Sequence, residues 1–388
     1  MNIVLPLLVL FLFLLIVYST FLIGINTGLK RIINDRIHYK ETGINTSGNN
    51  PHKASVIIPF RNESENILNS LKCIEQQNYP KDLFEVIYVN DSSSDDSFEK
   101  LTSAVKSCNI KILSSGGEGL QAAFKKNAVR KGIESSGGEI IITTDADTMF
   151  GRKWLSSLLE KFDENTGLVS GPVNFIFVHG LFSAFKILEF SGLVLTGAGL
   201  IGINQPVICN GANLAYRRKA YDGVKGFSEH LHLSSGQDEL LMQSIARETS
   251  YKIKFCWNED SLVSTSPPFA LKEFFQQRKR WASKTLYYPD KILRFKLFFI
   301  FLFYLGIPVQ FLLIIFSSKF FLLSFIITLA AKSILEYFII KTGKDFLFPR
   351  KILKHFLAAE LIQIPYILIS ALAGLSGKFE WKGRKLKR

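Results

Sequence analysis

Between Ala54 and Thr144, four short runs rich in apolar and β-branched residues (54–60, 84–90, 110–113 and 139–144) alternate with stretches of helical period. Strands that return to a neighbour through a helix pair in parallel, so this alternation predicts an α/β fold with a mostly parallel sheet. Ile67, Leu68, Leu71 and Ile74 recur on one face of the first connecting helix. Phe98, Leu101 and Val105 do so in the second, and Leu120, Phe124 and Ile133 in the third. Open sheets of this class bind ligands beyond the carboxyl ends of their strands. Three such ends here carry polar clusters: Arg61-Asn62-Glu63, Asp91-Ser92-Ser93-Ser94-Asp95 and Asp145-Ala146-Asp147.

Apolar segments flank this region. Residues 1–29 carry no charged side chain, and 3–25 is long enough to cross a hydrocarbon core of about 30 Å. Lys30, Arg31, Arg36 and Lys40 follow it, which by the positive-inside rule places the N-terminus outside and the rest in the cytoplasm. Residues 297–318 have no charge and read as a second span. Segment 320–340 contains Lys332 and Glu336, which together cost about 5–7 kcal/mol at the bilayer centre, close to what its apolar residues return. Their i, i+4 spacing lets them pair on one helix face. A third crossing at 356–377 would leave the tail of Lys382, Arg384, Lys385, Lys387 and Arg388 outside, so that stretch is expected to be re-entrant or interfacial. Segment 190–216 is uncharged but rich in glycine, and it is expected to be buried in or against the globular part.

The net charge of +14 on 388 residues accords with cytoplasmic loops and contact with anionic lipid. No basic run is interleaved with stacking aromatics outside the apolar segments, so no nucleic-acid partner is expected. Four widely spaced cysteines, with no C-x-x-C pair, point to neither a zinc site nor a disulfide framework. The resulting organisation is a membrane helix at 1–29, a cytoplasmic linker at 30–52, a catalytic domain at 53–266 and amphipathic interfacial helices at 267–296. Membrane or re-entrant segments at 297–377 and a basic tail at 378–388 complete it.

At the end of the fourth strand, the two carboxylates of Asp145-Ala146-Asp147 can approach one hard divalent cation and leave its other positions to phosphate oxygens. Mg²⁺ or Mn²⁺ with a diphosphate leaving group suits such a pair. Residues 53–290 resemble the family 2 glycosyltransferases of the GT-A fold. The resemblance rests on Val56-Ile57-Ile58-Pro59-Phe60-Arg61-Asn62-Glu63, Val89-Asn90-Asp91, Lys126-Asn127-Ala128 and Asp145-Ala146-Asp147. It rests also on Asn210-Gly211-Ala212-Asn213, Gly236-Gln237-Asp238-Glu239 and Gln277-Arg278-Lys279-Arg280-Trp281. The last matches the Q-x-x-R-W motif of membrane-embedded members, among them cellulose and hyaluronan synthases and ceramide glucosyltransferase.

The resemblance implies a nucleotide pocket of Pro59, Asn62, Glu63, Asp91, Lys126 and Asp145, with Asp91 at the uracil ring. It implies metal ligation by Asp145 and Asp147, and an acceptor site of Asn210, Gly211, Asn213, Gln277, Arg280 and Trp281. Catalysis is expected of Asp238 as base, of Asp147 through its metal, and of Arg280 on the departing diphosphate. Arg278 and Lys279 are expected to meet lipid phosphates, and Phe274, Phe275, Leu286 and Tyr287 to lie on interfacial helices. His230 and His232 read as a polar loop, and Gly116-Gly117-Glu118-Gly119 as a turn.

Three activities fit these features. The first is transfer of a sugar from a UDP-sugar to a lipid-linked acceptor at the cytoplasmic face of the plasma (inner) membrane. The others are processive synthesis of an extruded polysaccharide, in which the acceptor is a growing glycan, and a membrane scaffold retaining the fold without turnover.

Overall fold

A computed structural model describes residues 3–42, 51–116, 124–228, 236–376, 378–381 and 384–387. His230, His232, Leu120 and all of the 116–119 turn except Gly116 lie outside these residues. The chain opens with α1 (Val4–Thr42), which continues beyond residue 29 and makes the start of the expected linker helical. The alternating region then runs β1 (Ala54–Phe60), α2 (Ile67–Glu75), β2 (Phe84–Asn90), α3 (Ser97–Ala104), β3 (Ile110–Ser114), α4 (Phe124–Glu134) and β4 (Ile140–Thr143). Its strands pair in parallel in the order β3-β2-β1-β4, as the crossover pattern requires. Helices cover these strands, so β1 is apolar on both sides and Val56, Ile57 and Ile58 are wholly buried.

The next part adds β5 (Thr148–Phe150), α5 (Trp154–Leu159), β6 (Thr166–Ser170), β7 (Val173–Phe175), α6 (Leu181–Gly202), β8 (Leu214–Arg217) and α7 (Arg218–Gly223). After these come α8 (Gln237–Glu248), β9 (Lys252–Phe255) and β10 (Val263–Thr265). Strand β8 inserts antiparallel between β4 and β6, and β9 closes the seven-stranded sheet beside β6. A small second sheet, β5-β10-β7, lies at the strand-end side of the D-x-D turn.

Among the described residues five helices are long and apolar enough to cross a membrane: α1, α6, α10 (Lys291–Phe316), α11 (Phe320–Thr342) and α12 (Phe356–Leu375 with the preceding 3-10 turn), the last three following α9 (Leu271–Ser283). A hairpin of β11 (Lys378–Trp381) and β12 (Arg384–Lys387) ends the chain. Helix α6 is mostly buried, and the strands on either side of it, β7 and β8, belong to the same globular body. It is therefore a buried helix of that body, as the glycine-rich segment predicted, although it begins at Leu181. It packs on α1 through glycines: a Cβ on Gly28 would stand 1.8 Å from the Gly199 carbonyl oxygen, and one on Gly202 2.3 Å from that of Gly28. Only residues without side chains let the two backbones approach this closely.

Helix α12, where a re-entrant or interfacial segment is expected, is one continuous helix despite Pro365. It packs against α9, α6 and α10. Inside the bundle Lys332 pairs with Glu336 at 3.0 Å, as the i, i+4 spacing predicts, and also with Glu360 of α12 at 2.6 Å. Tyr18 and Tyr304 donate to Glu336 at 2.5 and 3.2 Å, so α1, α10, α11 and α12 meet in one buried polar network. The four cysteines are unpaired.

Candidate active site

A cleft of about 240 Å³ lies beyond the carboxyl ends of β1, β2 and β4. Its shape is set by loops tied to one another. Asn62 and Ser92 take left-handed backbone, with φ of 51° and 54°. Arg61 donates to the Asp91 carbonyl at 2.8 Å, the Asn62 side chain accepts from the Ser94 N–H, and the Glu63 N–H donates to Ser97 Oγ. Asp91 is thereby held buried at the cleft wall. The D-x-D turn is fixed in the same manner. Thr144 donates to the Ala212 carbonyl at 2.8 Å and Thr143 to that of Gly211 at 3.0 Å, which docks the 210–213 segment against it.

Of the residues expected here, Pro59, Glu63, Asp91, Asp145, Asp147, Asn210, Gly211, Gln277, Arg280, Trp281 and Asp238 all line this cleft. Asn62, Lys126 and Asn213 do not. Asn62 is exposed and organises the β1 and β2 loops. Lys126 is only 2% exposed, and burial pushes its ammonium down to about 8 against the pull of Asp238. Its neighbour Lys125 reaches the cleft and pairs with Asp145 at 2.5 Å. One residue of helical register decides between them, and the sequence carries no signal for it. Asn213 is fully buried, donating to the carbonyls of Pro172 and Ser261 and accepting from Trp154 Nε1. With its amide so engaged it braces the cleft floor and does not face an acceptor.

Arg278 also departs from expectation. It is buried, ion-paired with Glu189 of α6, and its guanidinium stacks 4.2 Å from the Trp281 ring, so it faces protein and not lipid phosphate. Tyr366 of α12 donates to the same Glu189 at 2.7 Å. Phe274, expected at the interface, is buried against Phe185 and Tyr366. Trp281 is thus fixed from one side by Arg278 and from another by Phe190, at the junction of α6 and α9.

Asp238 opens α8, and its Oδ2 accepts from the Gly211 N–H at 2.9 Å. Burial pushes its carboxyl up, but Lys284, Lys125 and the Gly211 N–H outweigh this and hold it below the ordinary aspartate value. Lys284 also pairs with Glu239 at 2.8 Å, and Tyr288 donates to Glu239 at 2.6 Å. Burial lowers the Arg280 guanidinium while Asp238 and Asp145 act against it, and it carries no direct ion pair among the described residues. An uncommitted cation therefore stands between the D-x-D and Asp238.

Among the described residues no three His, Cys, Asp or Glu side chains converge as a metal cage. Asp145 and Asp147 are two hard oxygen donors on one open wall, which suits a cation that takes its other ligands from a diphosphate. On its far side the cleft adjoins a larger cavity of about 650 Å³, sharing Phe190, Asn210, Asp238 and Trp281 with it. That cavity lies among α6, α9, α10 and α12, and its lining is largely apolar.

The sequence profile of "Glycosyl transferase family 2" matches residues 55–224, and that of "Glycosyl transferase family group 2" matches residues 140–340, over half the chain. Glycosyltransferase AglE of Haloferax volcanii is 29% identical over 206 residues, covering 52% of this chain and 63% of that protein. Hyaluronan synthase of Streptococcus pyogenes is 26% identical over 253 residues, covering 60% and 57%. The chain thus aligns with less than two thirds of the length of either relative. Among solved structures, the mannosyltransferase PcManGT of Pyrobaculum calidifontis, in complex with GDP-Man and Mn²⁺, superposes with a TM-score of 0.51. The match covers 92% of this chain and 98% of that one at 18% identity, a likeness of fold alone.

Proposed function

The chain belongs to the family 2 glycosyltransferases and has their α/β GT-A fold, and we propose that it is a membrane-integrated, inverting enzyme that moves a sugar from a nucleotide sugar to a lipid-linked acceptor. The observation that carries this reading is the convergence in one cleft of Asp91, Asp145, Asp147, Asp238, Arg280 and Trp281, drawn from four separate stretches of chain. UDP is the proposed nucleotide, its base set against Asp91, with Lys125 and Arg280 taking the diphosphate. Asp145 and Asp147 are the residues that would hold Mg²⁺ or Mn²⁺, which when bound neutralises charge developing on the leaving group. The mannosyltransferase solved with GDP-Man and Mn²⁺ supports a nucleotide sugar and a divalent cation in this fold.

Asp238 is the proposed base. It takes the proton from an acceptor hydroxyl as that oxygen bonds the anomeric carbon, while the bond from that carbon to the diphosphate oxygen breaks and its electron pair leaves with the nucleotide. Gly211 fixes the carboxylate, and Lys284 and Lys125 keep it ionised at neutral pH. Trp281 offers an apolar platform to the acceptor. Four apolar helices outside the globular body, α1, α10, α11 and α12, support insertion in the bilayer, with the catalytic domain on the cytoplasmic side following from the basic residues after α1. The apolar cavity beside Asp238 favours a lipid-linked acceptor over a growing polysaccharide.

The test is transfer of label from a panel of UDP-sugars, with GDP-mannose included, into membranes containing the protein, with Mn²⁺ or Mg²⁺ and with chelator. Label is expected in the organic phase as one discrete species, lost on chelation and lost in Asp147→Asn and Asp238→Asn. High-mass aqueous product would establish a polymerase instead. Absence of any metal-dependent nucleotide release would establish a scaffold without turnover.

A further inference from the structure

The cavity beyond Asp238 is lined by Leu297, Phe298 and Phe301 of α10 and by Ile367, Ala371 and Leu372 of α12. Phe298 and Leu372 are 54% and 59% exposed on the apolar outer faces of those helices. The cavity therefore runs from the candidate base to a surface that only hydrocarbon suits, and its volume falls in the range of sites that enclose small ligands. Its polar features are specific. Ser370 Oγ and Arg278 Nε are buried with no hydrogen-bond partner among the described residues, and both residues line the cavity. Ser370 and Arg278 give the largely apolar lining a polar part, so the ligand that suits it is an amphiphile.

The charges say which kind. The two buried cations of the cavity are already committed, Arg278 to Glu189 and Lys284 to Glu239, while Arg294 is exposed at its rim. The carboxylates of Asp238 and Glu239 face the same space. An anionic phosphate placed there would meet the Asp238 carboxylate and, among the described residues lining the cavity, no unpaired buried cation, since Arg280 lies on the cleft side and is assigned to the diphosphate; a neutral hydroxyl would find a base and hydrogen-bonding groups.

We propose that this cavity is the acceptor site and that it takes a lipid from the bilayer side, its hydrocarbon chain between α10 and α12 and an uncharged hydroxyl-bearing head at Asp238. The proposal rests on the glycosyltransferase reading and specifies its acceptor. The nucleophile is a hydroxyl of a neutral head group and not the oxygen of a lipid phosphate.

Photolabelling tests it without requiring turnover. The full chain is reconstituted in phosphatidylcholine nanodiscs with hexadecyl β-glucoside carrying a mid-chain diazirine, irradiated, and its adducts mapped. Adducts are expected on 297–301 and 367–372, displaced by unlabelled hexadecyl glucoside and not by hexadecyl phosphate. Ala371→Trp, which fills the cavity wall, should cut adduct yield by about tenfold or more while thermal stabilisation by UDP and Mn²⁺ stays at the wild-type value. Leu297→Trp makes the same test from the facing helix should the first variant lose its thermal transition. Adducts scattered over the outer helix faces, or undiminished labelling in both variants, would overturn the site. Stronger displacement by hexadecyl phosphate would overturn the hydroxyl assignment. Correct labelling in a protein that transfers no sugar would sink the enzymatic reading and leave the lipid site standing.

Discussion

The backbone N–H of Gly211 donates to Asp238 Oδ2 at 2.9 Å, which joins the loop before β8 to the first turn of α8. The bond couples the candidate base to the segment docked on the D-x-D turn.

Lys284 is one of the groups that hold Asp238 low, and it also pairs with Glu239. Because the folded value lies below the ordinary one, transfer should be flat through neutral pH and fall only where Asp238 takes up its proton. In Lys284→Met the carboxyl rises, so the acid limb of the rate profile should move to higher pH with little change on the alkaline side. A pH series of kcat/KM for the two proteins measures this, and coincident acid limbs would refute the role of Lys284.

Asn213 tests a bracing role against an acceptor contact. Asn213→Ala strands Trp154 Nε1 and two carbonyls in the interior, and should cost about 2–4 kcal/mol of stability. Thermal unfolding in detergent should show the loss while the acceptor KM of the surviving folded fraction is unchanged. An altered KM at undiminished stability would return Asn213 to the acceptor site.

Lys332 stands between Glu336 and Glu360, with Gln363 Oε1 at 2.6 Å as a further acceptor. Lys332→Met leaves two carboxylates buried without their cation and should cost about 3–5 kcal/mol. Adding Glu336→Gln and Glu360→Gln should recover most of it. Wild-type stability of the single variant, measured by thermal unfolding in one detergent, would show that the ion pairs contribute nothing.

The α1–α6 contact allows a steric test. Any side chain at Gly28 collides with the Gly199 backbone, so Gly28→Val should force the helices apart at a cost of about 2–3 kcal/mol or more. Gly116→Ala, at a glycine with open space around it, is the control for the assay, and any loss it shows belongs to its positive φ. Wild-type melting of Gly28→Val would contradict the close packing.

Much of the architecture was legible in the amino-acid order because its signals are local. Alternation of β-branched runs with helical stretches predicts β1 to β4 and their parallel pairing, since a strand, a crossover helix and the next strand leave few topologies open. Long uncharged runs predict membrane-length helices for the same reason. The cluster of carboxylates at strand ends and the spaced motifs up to Trp281 named the family and most of the cleft. The alternating pattern thus determined the fold class, and the resemblance of the spaced motifs pointed to the family.

Tertiary structure decided the rest, wherever the answer depends on which distant residue arrives first. Lys125 or Lys126 reaches the cleft according to one step of helical register against β1, and packing sets that step. Asn213 and Arg278 carry motif-like polar groups, yet Trp154 and Glu189, far away in sequence, claim them. The cavity at Asp238 belongs to no segment at all. It exists because α6, α9, α10 and α12 are held apart there by their own side chains, a property of the assembled bundle that no local pattern encodes.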